Sequence, residues 1–238
     1  MADTCTDDVC DGSGWIVGIN AGEREARPCI CRKKRAQSRL RARMKARIPN
    51  KYARVSFDAP PISDMAHQED SRAAVAAVRD YCEAIDDRLE EGKGLWITGP
   101  PGTGKTSLAM LASKTSIAEQ HTVAVYSTPA LLAHIRSTFD GEGDTYEAFI
   151  RRLRTVDLLH LDDLGAERTT DWVLEQLYAL IDARYNDGGS VLVTSNLDTE
   201  ELVRQVGDRI VSRLMEMCKP GPIYLGGVDH RFDGRAAA

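Results

Sequence analysis

Leu95-Trp96-Ile97-Thr98-Gly99-Pro100-Pro101-Gly102-Thr103-Gly104-Lys105-Thr106 is a short apolar run that passes into a glycine-rich turn and closes on a lysine and a threonine. Gly99, Gly104, Lys105 and Thr106 meet the spacing G-x-x-x-x-G-K-T. Each residue type has a physical task there. Gly99, Gly102 and Gly104 let the backbone curl so that successive N–H groups face phosphate oxygens, and the following helix adds the partial positive charge of its N-terminus. Lys105 is expected to reach the β- and γ-phosphates and the Thr106 hydroxyl to complete the shell of a Mg²⁺ ion. Pro100, Pro101 and Thr103 fill the other loop positions and belong to the same nucleotide-binding set. Leu108, Leu111, Ala112 and Thr115 then recur at helical spacing. Strand, loop and helix stand in the order a phosphate cradle requires, which a chance glycine-rich turn would not supply.

Working outward, Asp157 to Gly165 reads Asp-Leu-Leu-His-Leu-Asp-Asp-Leu-Gly, an apolar strand closed by two carboxylates. A buried central strand of a parallel sheet has this composition. Its carboxyl end lies where open α/β sheets bind ligands, so Asp162 is expected to hold Mg²⁺ through water and Asp163 to act as general base on the attacking water. His160 reads as a packed core histidine without a role. Val191 to Asn196 forms another apolar strand with a polar end, and Asn196 is a candidate to hydrogen-bond the γ-phosphate or the water. Thr122 to Ser127 and Ile223 to Leu225 complete the expected strands. Helical patterns cover 64–91, 130–138, a stretch through Phe149, Ile150 and Leu153, and 171–185 with Leu174, Leu177, Tyr178 and Ile181 on one face. Two short helices, 199–206 and 208–218, follow. The class is α/β, a central parallel sheet flanked by helices.

The first 60 residues differ from the rest. They hold 13 basic and 7 acidic residues, net +6, whereas residues 61–238 hold 18 and 29, net −11. That asymmetry points to two modules with different partners. Four of the six cysteines, Cys5, Cys10, Cys29 and Cys31, fall in the first 31 residues. A nucleotide site belongs in a reducing compartment, so a disulfide framework is not expected. Two knuckles separated by a hairpin around Trp15 to Val17 would supply four thiolates to a tetrahedral Zn²⁺, whose binding would supply the folding free energy such a short segment lacks. The alternative is four unconnected thiols in a leader. Cys82 sits in a stripe with Val75, Val78, Ile85 and Leu89 and reads as a small buried hydrophobe.

Arg32 to Arg47 carries nine basic residues and no acid. A one-signed run suits phosphates or an acidic protein surface, with a solvated tether as the alternative. Ile48-Pro49-Asn50 then breaks the pattern, giving a module over 1–47, a linker over 48–60 and a nucleotide-binding domain over 61–238. No apolar run approaches a membrane span and the N-terminus is acidic, so a soluble cytoplasmic protein without a membrane partner is expected.

These residues resemble the AAA+ ATPases of the DnaC/DnaI helicase-loader and IstB type. The resemblance rests on the Walker A loop (99–106), the Walker B strand (158–165), the sensor-1-like Thr194-Ser195-Asn196, the linker Ile48 to Phe57, and Gly-Asp-Arg-Ile-Val-Ser-Arg-Leu at 207–214. It implies an AAA+ P-loop fold binding ATP and Mg²⁺, with Arg213 as an arginine finger acting on a neighbouring subunit and Arg209 supporting it. By position, Arg231 resembles a sensor-2 arginine touching nucleotide. Only 42 residues follow Asn196, which implies a very short C-terminal lid. The cysteine leader resembles the zinc-binding module by which Gram-positive and phage loaders dock on the helicase. The implied function is an ATP-dependent loader that self-associates through its ATPase domain and engages single-stranded DNA and a hexameric, DnaB-type replicative helicase. An IstB-like transposition helper and a non-hydrolysing nucleotide switch are the alternatives.

Overall fold

The structure is a computed structural model that describes Cys5, Cys10 and residues 15–20, 23–29, 48–139 and 145–229. The chain divides into two compact units, residues 1–45 and 46–238. No described helix is long and apolar enough to cross a membrane.

In the smaller unit, β1 (Trp15–Asn20) and β2 (Glu23–Pro28) pair antiparallel, with Trp15 opposite Pro28 and Asn20 opposite Glu23. The hairpin expected around Trp15 is therefore present. Cys5 and Cys29 are buried, with Cys10 and Ile16 against them.

The larger unit is built on five parallel strands: β3 (Leu95–Thr98), β4 (Val123–Ser127), β5 (Leu158–Asp162), β6 (Ser190–Ser195) and β7 (Ile223–Tyr224). Their order is β4-β5-β6-β3-β7. β3 and β6 are buried along their whole length, as near-continuous apolar runs must be when helices cover both faces of a sheet. The register sets Thr98 beside Ser195 and Ser127 beside Asp162, so polar residues gather at the carboxyl edge.

Nine α-helices are seen among the described residues: α1 (Ile62–Met65), α2 (Arg72–Glu83), α3 (Ile85–Glu90), α4 (Lys105–Ala118), α5 (Thr128–Phe139), α6 (Tyr146–Thr155), α7 (Asp171–Asp187), α8 (Thr199–Val206) and α9 (Asp208–Met217). The single helical pattern over 64–91 resolves into three pieces. The Ser71 hydroxyl donates to the Met65 carbonyl at 2.7 Å, closing a turn between α1 and α2, and Ala84 leaves helical geometry at φ −106°, ψ 27°. The buried stripe of α7 is Val173, Leu177, Leu180, Ile181 and Arg184, rotated from the expected face because Leu174 and Tyr178 are only half-buried. Residues 48–60 lie in the larger unit. Val55 and Phe57 lean on its core, and Lys114 Nζ donates to the carbonyls of Ala53 (2.8 Å) and Val55 (2.6 Å).

Candidate nucleotide site

The turn between β3 and α4 takes the shape its glycines allow. Gly99, Gly102 and Gly104 have φ of 146°, 79° and 98°, conformations that residues with a Cβ rarely adopt. At Gly99 the space is also closed, since a Cβ would stand 2.0 Å from the Leu225 carbonyl oxygen where β7 crosses behind the loop. Lys105 is buried in the first turn of α4, and its ammonium donates to the carbonyls of Gly99 (2.8 Å) and Pro100 (2.7 Å). The Thr103 hydroxyl closes the loop onto Pro100 at 2.9 Å. A turn with three glycines at positive φ running into a helix N-terminus, with a lysine alongside, is a fit for phosphate.

Two strand positions away, across β6, Asp162 closes β5. Its Oδ1 accepts from the Thr106 hydroxyl at 2.9 Å and from the Thr194 hydroxyl at 2.7 Å, while Oδ2 stands 3.3 Å from Thr106. A carboxylate paired with the hydroxyl that follows the loop lysine fits a hydrated Mg²⁺ held between phosphate and protein. Asp163 follows in a left-handed conformation, φ 61°, held from two sides. Its N–H donates to Thr194 Oγ1 at 2.8 Å, and its Oδ1 accepts from Asn196 Nδ2 at 2.5 Å. Asn196, expected against phosphate or water, here bonds the carboxylate next to them.

Three further groups join the site, none with an individual role assigned from the sequence. Thr194 links both acids, and Glu167 accepts from the Gly165 N–H at 3.1 Å; burial pushes its carboxyl above the usual range. The Asp229 carboxylate lies against the loop, its Oδ1 1.8 Å from where a Cβ of Gly102 would stand.

Of the expected arginines, Arg209 and Arg213 are described and neither bonds to this cluster. Arg213, on α9, bonds Asp182 of α7 through Nε at 3.1 Å, with its Cζ 4.3 Å over the Tyr185 ring. Arg209 is exposed on the first turn of α9. Arg231, Cys31 and the basic run 32–47 lie outside the described residues. In the smaller unit the thiols of Cys5, Cys10 and Cys29 lie within 4.8 Å of one another, and Cys5 and Cys29 are 3.9 Å apart. Sulfurs about 2.3 Å from a tetrahedral Zn²⁺ stand about 3.8 Å from each other, and the three described thiols are near enough to one another to supply three such ligands.

A phosphate-binding turn after the second strand from one edge, an acid-ended strand two places along and a polar residue on the strand between them define a P-loop nucleotide-binding domain of AAA+ architecture. Residues 34–218 match the sequence profile of the IstB-like ATP binding protein family, and the chain belongs to that family. Over 168 residues it is 30% identical to the phage-like element PBSX protein XkdC of Bacillus subtilis, spanning 66% of this chain and 60% of the relative. Over 186 residues it is 27% identical to the replicative helicase loader DnaC of Buchnera aphidicola, spanning 78% of this chain and 73% of that one. A crystal structure of the DnaC helicase loader superposes with a TM-score of 0.64 at 26% identity, over 75% of this chain and 99% of that chain.

Proposed function

We propose that the chain is an ATP-hydrolysing loader of a replicative helicase. The observation that carries this reading is the hydrogen-bonded series Thr106–Asp162–Thr194–Asp163–Asn196, which joins the phosphate loop to two acids in the arrangement hydrolysis needs. Lys105 neutralises charge on the γ-phosphate, and Asp162 and Thr106 hold Mg²⁺. Bound Mg²⁺ supplies charge neutralisation across the phosphates. Asp163 accepts the proton of the attacking water, and Asn196 fixes the orientation of that carboxylate. Arg213 acts on nucleotide bound by a neighbouring copy, so turnover depends on assembly. Arg209 supports that finger, and Arg231 touches nucleotide as a sensor-2 residue.

The loader reading draws on the likeness to proteins named as replicative helicase loaders over most of the chain, together with a thiol cluster ahead of the ATPase unit. Cys5, Cys10, Cys29 and Cys31 hold Zn²⁺ and shape the unit that grips a hexameric helicase; the ATPase unit holds single-stranded DNA. The test is size-exclusion chromatography with light scattering of the chain and its host's replicative helicase, with and without ATP, and with residues 1–47 deleted. A complex that needs residues 1–47 is the expected result. The family's IstB-like members favour a second reading, a transposition helper, and absence of a helicase complex in every nucleotide state would shift the assignment to it.

A further inference from the structure

β5 carries a histidine where its neighbours carry leucine. Strand alternation puts His160 and Asp162 on one face of the sheet, and that face meets α4. Thr106 and Ser113, seven residues apart, share one side of α4 and form two polar contacts with it: Thr106 with Asp162 at 2.9 Å, and Ser113 Oγ with His160 Nδ1 at 3.0 Å. Between these contacts, His160 Nε2 stands 3.9 Å from Asp162 Oδ1. The imidazole is fully buried, and Nε2 has no hydrogen-bond partner among the described residues. A buried polar atom left without a bond calls for a reason, and the nearest charged group is the Asp162 carboxylate.

The tautomer follows from the partners. The Ser113 hydroxyl has one bond among the described residues, to Nδ1. If Nδ1 carried the proton, the serine O–H would lack an acceptor and the Nε2 lone pair would face a carboxylate. With the proton on Nε2, the serine donates to Nδ1 and an N–H faces Asp162.

We infer that His160 is a positioning residue for Asp162: with Ser113 fixing its tautomer, its Nε2–H directs Oδ1 toward the protein and leaves Oδ2 for the Mg²⁺ shell. Oδ1 is then the anchored oxygen, approached by Thr106, Thr194 and His160, whereas Oδ2 has only the longer 3.3 Å contact with Thr106 and is the oxygen turned to the metal. Outer partners of this kind tune metal affinity more than they tune binding of the rest of the ligand. The inference rests on Asp162 as a Mg²⁺ ligand.

Glutamine and asparagine separate this role from packing, because the Gln amide nitrogen reaches the place of Nε2 whereas Asn reproduces only the place of Nδ1. In the full chain, a fluorescent ATP analogue is titrated at rising Mg²⁺, and its affinity is measured separately in EDTA. His160→Asn is expected to raise the Mg²⁺ concentration at half-maximal effect about tenfold, and Ser113→Ala about threefold. His160→Gln should stay within about twofold of the native chain, and affinity in EDTA should be the same for all. Unchanged Mg²⁺ midpoints in His160→Asn and Ser113→Ala, or equal rises in the Gln and Asn variants, overturn the inference. If either His160 variant does not fold, the Ser113→Ala midpoint decides alone. A native chain whose nucleotide binding is indifferent to Mg²⁺ would instead remove the reading of Asp162 itself, and the inference with it.

Discussion

Both ends of the parallel sheet hold charged side chains, and they hold them in opposite ways. At the amino end, Arg184 of α7 is fully buried and gives its bonds to backbone carbonyls: Nη1 to Leu153 (2.7 Å) and Arg154 (3.1 Å), Nη2 to Asp157 (3.2 Å) and Ser190 (2.6 Å). Two of those carbonyls end α6, where the helix carries partial negative charge. Burial lowers the guanidinium to about 10, still charged at neutral pH. Gly189 keeps room for it, since a Cβ there would be 2.8 Å from Nη2. At the carboxyl end, Asp162 and Asp163 are held mainly by side-chain hydroxyls and an amide, and both stay partly exposed. A group bonded to four fixed carbonyls can only brace the fold. Carboxylates held by rotatable hydroxyls keep oxygens available for a ligand.

The sharpest way to break that contrast is to remove the brace. Arg184→Ala leaves the ends of α6, β5 and β6 without their shared donor, and urea unfolding should show a loss of about 3–5 kcal/mol. A loss under about 1 kcal/mol would mean that water or a neighbouring side chain satisfies those carbonyls, and the two ends would no longer differ in kind. Next in size is the loop lysine. With MgATP at a hundred times its Kd, the native chain should gain about 2.7 kcal/mol in the same measurement, and Lys105→Ala should gain nothing. An unaltered gain would show that the glycine turn and α4 bind the phosphates without the ammonium.

Much of this was legible in the sequence, and the boundary of legibility is physical. The Walker A turn, the acid-ended β5 and the polar end of β6 are local patterns, and each stands where it was expected. The hairpin and three converging thiols of the leader were likewise foreshadowed by spacing. Thr194 was visible only as one letter of Thr-Ser-Asn, because its link to both acids depends on the β5–β6 register, a long-range property. His160 was read as core and is core, yet its pairing with Ser113 needs the packing of α4 on β5. Arg184 gave no signal at all: a lone arginine in a helical pattern looks like surface until α6 and β6 close over it. Arg213 was matched by motif, and within one chain the structure adds its contact with Asp182 and Tyr185.

The smallest expected change in stability belongs to Asp163, and it completes the contrast from the other side. Asp163 sits at φ 61°, where asparagine is tolerated as well as aspartate and alanine is not. Asp163→Asn keeps the backbone bond to Thr194 and an oxygen to accept from Asn196, so unfolding free energy should stay within about 0.5 kcal/mol of the native chain. Nucleotide affinity should also hold, while hydrolysis in the assembled state should be lost, since an amide takes no proton from water. Asp163→Ala should lose hydrolysis too, but with a further penalty of about 1–2 kcal/mol for placing a Cβ without a polar partner in left-handed geometry. If Asp163→Asn turns over ATP at the native rate, Asp163 is a brace like Arg184 and the general base lies elsewhere. If it loses stability to the extent that Arg184→Ala does, the carboxyl end is as rigidly bound as the amino end, and the distinction between bracing and ligand-ready groups fails.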